Sequence, residues 1–267
     1  MNDYLFTNQA AWTSLPADQF VNWLTTTAVP ALGLDAAKFS ADQKSDAMVQ
    51  KALTAQTEGN QAGVTYTPFI LINGKIWQGP RDLANLEAVV KLTLMENRMF
   101  TACPPMTIDP KKQYIATLKT DQGDIVIQLY PDKAPITVNS FVFLAKSGWF
   151  DNIIFHRVML DFVAQTGDPS GTGYGAPGYA FKDEIDPNLK FDKAGVVGMA
   201  NAGPGSNGSQ FFITYSAQPT LDGKYTIFGQ VIQGMDVAAK LTPRDPSQTT
   251  TPLPAGSVLI KVTIEEK

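Results

Sequence analysis

Two short, mostly apolar runs of this chain bring a permanent cation and an amide close together in sequence. Residues 155–157 read Phe-His-Arg and include the one histidine of the chain, and residues 162–165 read Phe-Val-Ala-Gln. A metal site or a catalytic triad needs several partners, which one imidazole and the single Cys103 do not provide. The pattern favours a shallow apolar pocket in which a hydrogen-bond donor faces an uncharged substrate. We therefore expect neither a metal ion nor a cofactor.

Three later runs complete this pattern. Residues 199–204 read Met-Ala-Asn-Ala-Gly-Pro, residues 208–213 read Gly-Ser-Gln-Phe-Phe-Ile, and residues 221–229 read Leu-Asp-Gly-Lys-Tyr-Thr-Ile-Phe-Gly. In this order the runs resemble the cyclophilin-type peptidyl-prolyl isomerases over roughly Tyr114 to Glu265. The resemblance implies an enzyme that speeds rotation about the peptide bond before proline. Its partners would be proline-containing polypeptides, whose folding it would assist.

The chemistry of that reaction suits an arginine. Resonance in the amide sets a barrier of about 18–20 kcal/mol to rotation. The twisted amide has lost this conjugation, so its nitrogen becomes an acceptor, and a donor placed there binds the twisted state better than the planar one. Arginine stays protonated and presents a rigid fork of donors. The resemblance gives this catalytic role to Arg157, with Gln165 and Asn201 holding the substrate carbonyl and the flanking backbone.

The resemblance also implies a pocket around the proline ring, whose apolar walls are Phe162, Val163, Phe212 and Leu221. It also implies small residues, Ala200 and Ala202, where the peptide lies close, and an amide, Gln210, that supports the arginine. His156 would shape the site, and Thr220 and Tyr225 would lie at its edge. Taken singly, the phenylalanines are also consistent with barrel core, Arg157 with a surface cation and His156 with a structural residue. A peptide-binding protein without turnover is the alternative function.

Two positions depart from the better-studied family members. A tryptophan often precedes the Leu-Asp-Gly run, where this chain has Thr220, and a histidine often follows Gly-Lys, where it has Tyr225. Loss of the indole removes an N–H donor and a large apolar wall. We therefore predict retained isomerase activity together with weak cyclosporin binding.

The elements that must hold these residues are short strands separated by glycine- and proline-rich loops. Strand patterns occur at 115–118, 125–130, 153–158, 196–200, 210–214, 226–231 and 258–265, with helical patterns at 137–147 and 235–241. Many strands with two helices favour an antiparallel barrel or sandwich. The resemblance narrows this to an eight-stranded antiparallel β-barrel with two capping helices in residues 113–267.

Residues 1–101 follow a different, mostly helical pattern. Ser40 with Gln43 indicates a capping box, and Asn73-Gly74 indicates a tight hairpin. Three prolines in residues 102–112 indicate a linker to the barrel. Residues 64–75, Val-Thr-Tyr-Thr-Pro-Phe-Ile-Leu-Ile-Asn-Gly-Lys, resemble the disulfide-oxidoreductase branch of the thioredoxin superfamily. This implies a multi-domain chain with a partial thioredoxin-like α/β domain and a cis bond before Pro68.

The Cys-x-x-Cys segment of that superfamily is missing from this sequence, so we do not expect disulfide exchange. The first domain is expected to be truncated, to be completed by another chain, as in a homodimer, or to be a degenerate module that grips substrates. The resemblance favours the cell envelope or secretion. Residues 1–4 lack the pattern of a secretory signal, and a removed signal would leave the same appearance, so the compartment stays open.

Composition argues against two further classes of partner. The formal net charge is −4, and the sequence has no basic run long enough to follow a nucleic acid. It also has no stretch of about 18 apolar residues that would predict a membrane span. Residues 173–178 fit Gly-x-Gly-x-x-Gly, but Pro177 interrupts any following helix, so we do not expect a dinucleotide site.

Overall fold

The computed structural model describes residues 1–248 and 253–267, which divide into two compact units, Met1–Trp77 and Gln78–Lys267. The first unit is mostly helical. Its helices are α1 (Asn2–Thr7), α2 (Ala17–Trp23), α3 (Val29–Ala31), α4 (Ala36–Gln43) and α5 (Asp46–Gln61), and they are followed by a hairpin of β1 (Leu71–Ile72) and β2 (Lys75–Ile76). A π-helical turn at 24–28 joins α2 to α3.

The hairpin of the first unit has the turn that its sequence predicts. Asn73 and Gly74 adopt φ values of 48° and 74°, which is the left-handed conformation that Asn-Gly accepts readily. The peptide bond between Thr67 and Pro68 is cis, as expected. The predicted capping box is wrong, because Ser40 lies inside α4. The N-cap of α5 is Ser45, whose hydroxyl accepts a hydrogen bond from Met48 N at 3.4 Å.

The second unit begins with a helix outside its β-sheet. Helix α6 (Leu83–Met95) is capped by Asp82, whose carboxylate accepts a hydrogen bond from Asn85 N at 3.1 Å. A 3-10 turn, Glu96–Arg98, follows α6. The sheet then contains β3 (Tyr114–Thr120), β4 (Gly123–Leu129), β5 (Ile153–Ile154), β6 (Arg157–Met159), β7 (Val163–Thr166), β8 (Val196–Met199), β9 (Phe211–Thr214), β10 (Ile227–Gln233) and β11 (Val258–Glu266).

These strands form one curled antiparallel sheet in the order β5-β11-β3-β4-β10-β8-β9-β7-β6. The described residues thus give nine strands rather than the expected eight. The run predicted as one strand, 153–158, is divided in two, because Ile154 pairs with Val258 whereas Arg157 has moved on to pair with Gln165. Strand β7 was not among the predicted strands.

Two helices accompany the barrel-like sheet, α7 (Pro135–Lys146) and α8 (Met235–Ala238). The chain leaves α7 two residues after Lys146 at Gly148, whose φ of 72° is left-handed. The main core lies between α7 and the sheet, where the rings of Phe141, Phe150, Phe211 and Phe228 pack edge-on or tilted against one another. Among the described residues, no helix is both long and apolar enough to cross a bilayer.

The boundary between the compact units lies at a different place in the sequence from the predicted domain boundary. The chain divides between Trp77 and Gln78, and the predicted linker, residues 102–112, lies within the second unit. The reason is that residues after Gln78 already pack on the barrel. The Phe100 ring contacts Phe143 with ring centroids 4.8 Å apart, and Asn139 Nδ2 donates a hydrogen bond to Pro105 O at 3.0 Å.

Candidate active site

The cation, the amide and an aromatic ring that the sequence singled out lie in one row across three strands. Arg157 of β6 is directly opposite Gln165 of β7, and Gln165 is directly opposite Phe212 of β9. Residues directly opposite one another in antiparallel strands project their side chains to the same face. The sheet therefore brings together residues that are far apart in sequence.

The guanidinium of Arg157 is half-buried and lies beside an aromatic ring. Within residues 1–248 and 253–267, Arg157 makes no side-chain hydrogen bond and no ion pair. The guanidinium lies over the ring of Phe162, whose centroid is 5.3 Å from the guanidinium carbon. A charged group in such a position keeps its donors available for a ligand.

An apolar cluster, separate from the main core, lies beside this arginine. Its buried members are Val163, Phe191, Val196, Phe212 and Ile227, and Tyr130, Phe162, Leu189, Ala200, Leu221 and Tyr225 pack around them. The Phe191 and Phe212 rings stack with centroids 5.5 Å apart, and Tyr225 meets Phe212 edge-on at 5.7 Å. All four predicted apolar walls of the proline pocket belong to this cluster.

A short turn holds one wall of the cluster in place. Leu221 ends the 3-10 turn Pro219–Leu221. The next residue, Asp222, accepts a hydrogen bond from Phe191 N at 2.8 Å, which ties the turn to the stacked rings. Thr220 is exposed and is not a member of the cluster. Tyr225 therefore contributes an aromatic surface to this edge, whereas Thr220 does not.

The two glutamines form a chain of hydrogen bonds beside the row. Gln165 Nε2 donates to Gln210 Oε1 at 2.9 Å, and Gln210 Nε2 donates to Gly173 O and Gly175 O, each also at 2.9 Å. The expectation that Gln210 supports the arginine directly is not met among the described residues. It supports Gln165 instead, because β7 lies between Gln210 and Arg157.

A cavity of about 260 Å³ adjoins the row on the side of the glutamines. Its lining combines small residues with amides: Gln165, Gly173, Tyr174, Gly175, Ala176, Ala200, Asn201, Ala202, Ser206, Gly208, Ser209 and Gln210. The Asn201 amide is used internally, since Nδ2 donates to Asp183 Oδ1 and Lys224 O. Within the described ranges, no hydrogen bond engages the backbone N–H or C=O of Asn201. These backbone groups can therefore pair with an extended peptide.

His156, the residue before Arg157, is buried. It is 3% exposed, and neither ring nitrogen has a hydrogen-bond partner of normal geometry among the described residues. Burial lowers the pKa of His156, and the positive charges of Arg244 and Arg157 lower it further, whereas the nearby Asp168 opposes this shift. In the described part of the chain, no cluster of three or more His, Cys, Asp or Glu residues could hold a metal ion.

Two aspartates that shape the site escaped the sequence analysis. Asp168, fully buried, accepts hydrogen bonds from Ser170 Oγ at 2.7 Å, Gly173 N at 2.7 Å and Gly175 N at 3.0 Å. Its signal was available in Asp-Pro-Ser-Gly-Thr, a sequence rich in residues that bond to their own backbone in turns. The carboxylate thus organises the loop that lines the cavity.

Asp245 lies beside Arg157 on the side away from Gln165. An isolated bridge pairs Val158 with Arg244, with hydrogen bonds of 2.7 and 2.9 Å, and this register makes Asp245 the cross-strand neighbour of Arg157. Hydrogen bonds from Ser247 lower the pKa of Asp245 below its usual value, and the charge of Arg157 adds to this effect. No sequence pattern marked this residue, because it lies outside every named strand.

The comparisons with known proteins point to one family. A family model described as cyclophilin type peptidyl-prolyl cis-trans isomerase/CLD matches residues 115–264. Peptidyl-prolyl cis-trans isomerase CYP18-2 of Arabidopsis thaliana is 46% identical over 140 residues, which are 51% of this chain and 85% of that protein. Peptidyl-prolyl cis-trans isomerase-like 1 of Aspergillus niger is 51% identical over 125 residues, which are 46% of this chain and 77% of that protein.

Solved structures agree with these relatives. The crystal structure of a cyclophilin type peptidyl-prolyl cis-trans isomerase from Cryptosporidium parvum is 38% identical, with a TM-score of 0.53, and the match covers 58% of this chain and 98% of that one. A crystal structure of the same protein in the presence of the dipeptide Ala-Pro matches with 38% identity and a TM-score of 0.52.

Proposed function

This chain belongs to the cyclophilin-type peptidyl-prolyl cis-trans isomerase family, and we propose that Arg157 is the residue that lowers the barrier to X-Pro rotation. The chain is an isomerase, and the reaction breaks no covalent bond and moves no proton. What the site must do is bind the twisted amide more tightly than the planar one. The guanidinium is suited to this because its charge does not titrate near neutral pH.

The proline ring of the substrate would bind on the apolar cluster. Phe162, Val163, Phe212 and Leu221 offer an apolar surface directly beside the guanidinium. A proline ring seated there brings its amide nitrogen towards Arg157, while Gln165 and the backbone of Asn201 hold the substrate on the side of the cavity. The Ala-Pro dipeptide used with the Cryptosporidium parvum relative is consistent with a substrate of this chemistry.

The observation that carries this proposal is that Arg157, in a row with Gln165 and Phe212, makes no side-chain hydrogen bond and no ion pair among the described residues. An arginine kept for stability would be expected to satisfy its donors within the protein. Arg157 instead lies half-buried against an apolar surface, where its donors stay open to a ligand. In this row the Gln165 amide and the Phe212 ring project to the same face of the sheet as Arg157.

Replacement of Arg157 tests the proposal. In a protease-coupled assay on an Ala-Pro peptide, Arg157→Ala should lower kcat/KM by roughly 10²–10³-fold, the cost of deleting one transition-state donor elsewhere. Arg157→Lys should restore little, since an ammonium lacks the planar fork. The control is Arg81→Ala, an exposed arginine outside the site. Equal rates for wild type and Arg157→Ala would assign catalysis to other residues.

We further propose that cyclosporin binds weakly. Thr220 is exposed and lies outside the apolar cluster, so this edge lacks a large ring with an N–H donor, although Tyr225 retains an aromatic surface. A cyclosporin titration of isomerase activity should therefore show no inhibition at nanomolar concentration. Potent nanomolar inhibition would contradict the proposal.

We also propose that residues 1–77 form a partial thioredoxin-like domain that pairs with a second copy of the chain. This is supported by the Asn-Gly hairpin and the upstream helices. In residues 1–77, all of which the structure describes, only Ala28 and Val29 are fully buried apolar residues. So small a core gives the unit little stability of its own. A second copy could supply the missing contacts.

A further inference from the structure

The loop that forms one side of the cavity is held by a segment outside the family match. This bracing segment, residues 83–106, consists of α6, the 3-10 turn and the extended chain after it. The family model begins only at residue 115. The loop, residues 173–178, supplies four lining residues of the cavity, Gly173, Tyr174, Gly175 and Ala176.

Contacts between the bracing segment and the loop are close. Phe100 N donates a hydrogen bond to Pro177 O at 2.8 Å. A methyl group added at Gly175 would overlap Asp168 Oδ1 and would also lie 2.9 Å from Met95 Sδ, and one added at Gly178 would overlap Phe100 O. Met95 is 6% exposed, so it is packed as a core residue. The segment thus excludes a side chain at Gly178, and at Gly175 Met95 closes the space that Asp168 leaves.

The bracing segment is itself anchored to the barrel. Arg98 donates hydrogen bonds to Gly148 O and Trp149 O, each at 3.1 Å, and its guanidinium lies 5.5 Å from the Trp149 ring centroid. Trp149 Nε1 in turn donates to Gly167 O at 3.1 Å, directly before the buried Asp168 that organises the loop. Trp149 therefore fixes the backbone next to Asp168, which bonds to the start of the loop, and Phe100 holds its end.

Hydrogen bonds connect the loop to the glutamines of the site. Its carbonyls at Gly173 and Gly175 accept the hydrogen bonds from Gln210, and Gln210 accepts the hydrogen bond from Gln165. Gln165 is the cross-strand neighbour of Arg157. A shift of the loop would thus change both the width of the cavity and the position of the Gln165 amide, without moving the strands that carry the arginine.

We propose that the bracing segment is a specificity-determining part of the isomerase domain, which sets the side chains next to proline that the cavity accepts. The inference rests on the proposed function of the Arg157 site, because it assigns the cavity to the residues that flank the X-Pro bond. Met95 and Phe100 are positioning residues in this scheme. They act through the loop and through Gln210, and they do not touch the apolar cluster that takes the proline ring.

Neighbouring residues of α6 provide a matched pair of variants. Met95→Ala removes a buried side chain that faces Gly175, whereas Leu94→Ala removes a 68% exposed side chain from the same turn. We would measure kcat and KM on two peptides, one with alanine and one with leucine before proline. Met95→Ala should change the leucine-to-alanine ratio of kcat/KM by roughly tenfold, mainly through KM, as expected when a pocket loses its fit. Leu94→Ala should leave the ratio unchanged.

Hydrogen exchange read by mass spectrometry gives a measurement that does not depend on turnover. Met95→Ala should speed exchange in residues 173–178, where the amides of Gly173 and Gly175 bond to Asp168, and should leave β3 and β4 protected. If Met95→Ala unfolds the domain, Phe100→Leu tests the other end of the loop, because it alters the side chain that packs on Phe143 and Trp149 and so positions the Phe100 backbone. An unchanged peptide ratio together with unchanged exchange in the loop would overturn the inference. If Arg157 proves dispensable, the exchange result still decides whether the segment holds the loop.

Discussion

At the scale of single residues, the neighbours of Arg157 explain why its charge is available. The residue opposite it in β7 is a neutral amide, Gln165, which bonds to Gln210 rather than to the guanidinium. A carboxylate at that position would pair with Arg157 and would use up the donors that the substrate needs. The one acid beside it, Asp245, accepts hydrogen bonds from Ser247 N at 3.0 Å and Ser247 Oγ at 2.7 Å. Its carboxylate is thereby engaged and forms no ion pair with Arg157 within the described residues.

Also at the residue scale, His156 should make stability depend on pH. Burial lowers its folded-state pKa below the unfolded value of about 6.5. Between these two pKa values the unfolded chain binds more protons, so stability is present above about pH 6.5 and is lost as pH falls through the folded pKa. We expect the melting temperature to fall between pH 7.5 and 5.5 in wild type.

The comparison variant is His156→Gln, which removes the one imidazole of the chain. Its melting temperature should change less than that of wild type over the same pH interval, even if the variant is less stable at every pH. Calorimetry at a series of pH values makes the measurement. Parallel pH profiles for the two proteins would show that the burial of His156 does not cost stability on protonation.

At the scale of elements, β8 depends on a glycine to leave room for the stacked rings. Gly198 is directly opposite Phe212 of β9, and a methyl group added there would lie 2.7 Å from Phe212 Cζ and 2.9 Å from Phe191 Cζ. Strands β8, β9 and β7 lie side by side, and the Phe212 ring occupies the space that Gly198 leaves open. The glycine is therefore part of the site although it has no side chain.

We predict that Gly198→Ala displaces Phe212 and lowers both activity and stability. Overpacking of this kind costs about 1–3 kcal/mol of unfolding free energy. Peptide isomerisation and thermal unfolding would be measured for this variant and for Gly59→Ala in α5, where an added methyl meets Val64 Cβ at 3.9 Å. Gly59→Ala should retain both properties. Unchanged activity in Gly198→Ala would mean that the Phe191 and Phe212 rings can shift without cost.

At the scale of the whole molecule, the two compact units differ in how they are stabilised. The second unit has a continuous core built from α7 and nine strands, whereas residues 1–77 bury two apolar side chains completely. Several apolar residues of the first unit are exposed, among them Leu71 and Ile76 of the hairpin, at 55% and 50%. An edge of this kind is prone to pair with another chain.

Sedimentation equilibrium should accordingly show self-association at high micromolar concentration, approaching twice the chain mass of 28.9 kDa. Leu71→Lys should weaken the association by placing a charge in the apolar hairpin. The matched control is Ile232→Lys, a 55% exposed residue of β10 in the second unit, which should have no effect. A monomer at all concentrations would argue against pairing through residues 1–77.

The sequence by itself determined the family-level chemistry and most of the elements. The ordered runs around Arg157, Gln210 and Leu221 identified an isomerase, and periodicity with turn residues placed α7, the hairpin and most strands. These signals are local, because a turn or an amphipathic strand is specified by residues a few positions apart. The capping box at Ser40 was wrong for the same reason, since Ser45 offers the same local chemistry five residues later.

Only the tertiary structure decided which side chains share the site. Cross-strand register placed Arg157 between Gln165 and Asp245, directed Gln210 to Gln165 and the loop, and left the guanidinium unpaired. It also joined residues 83–106 to the isomerase domain through Met95 and Phe100, although their sequence reads as a helix followed by a linker. These contacts depend on pairings between distant segments, and such pairings arise when strands find their register and the core packs, which local spacing does not encode.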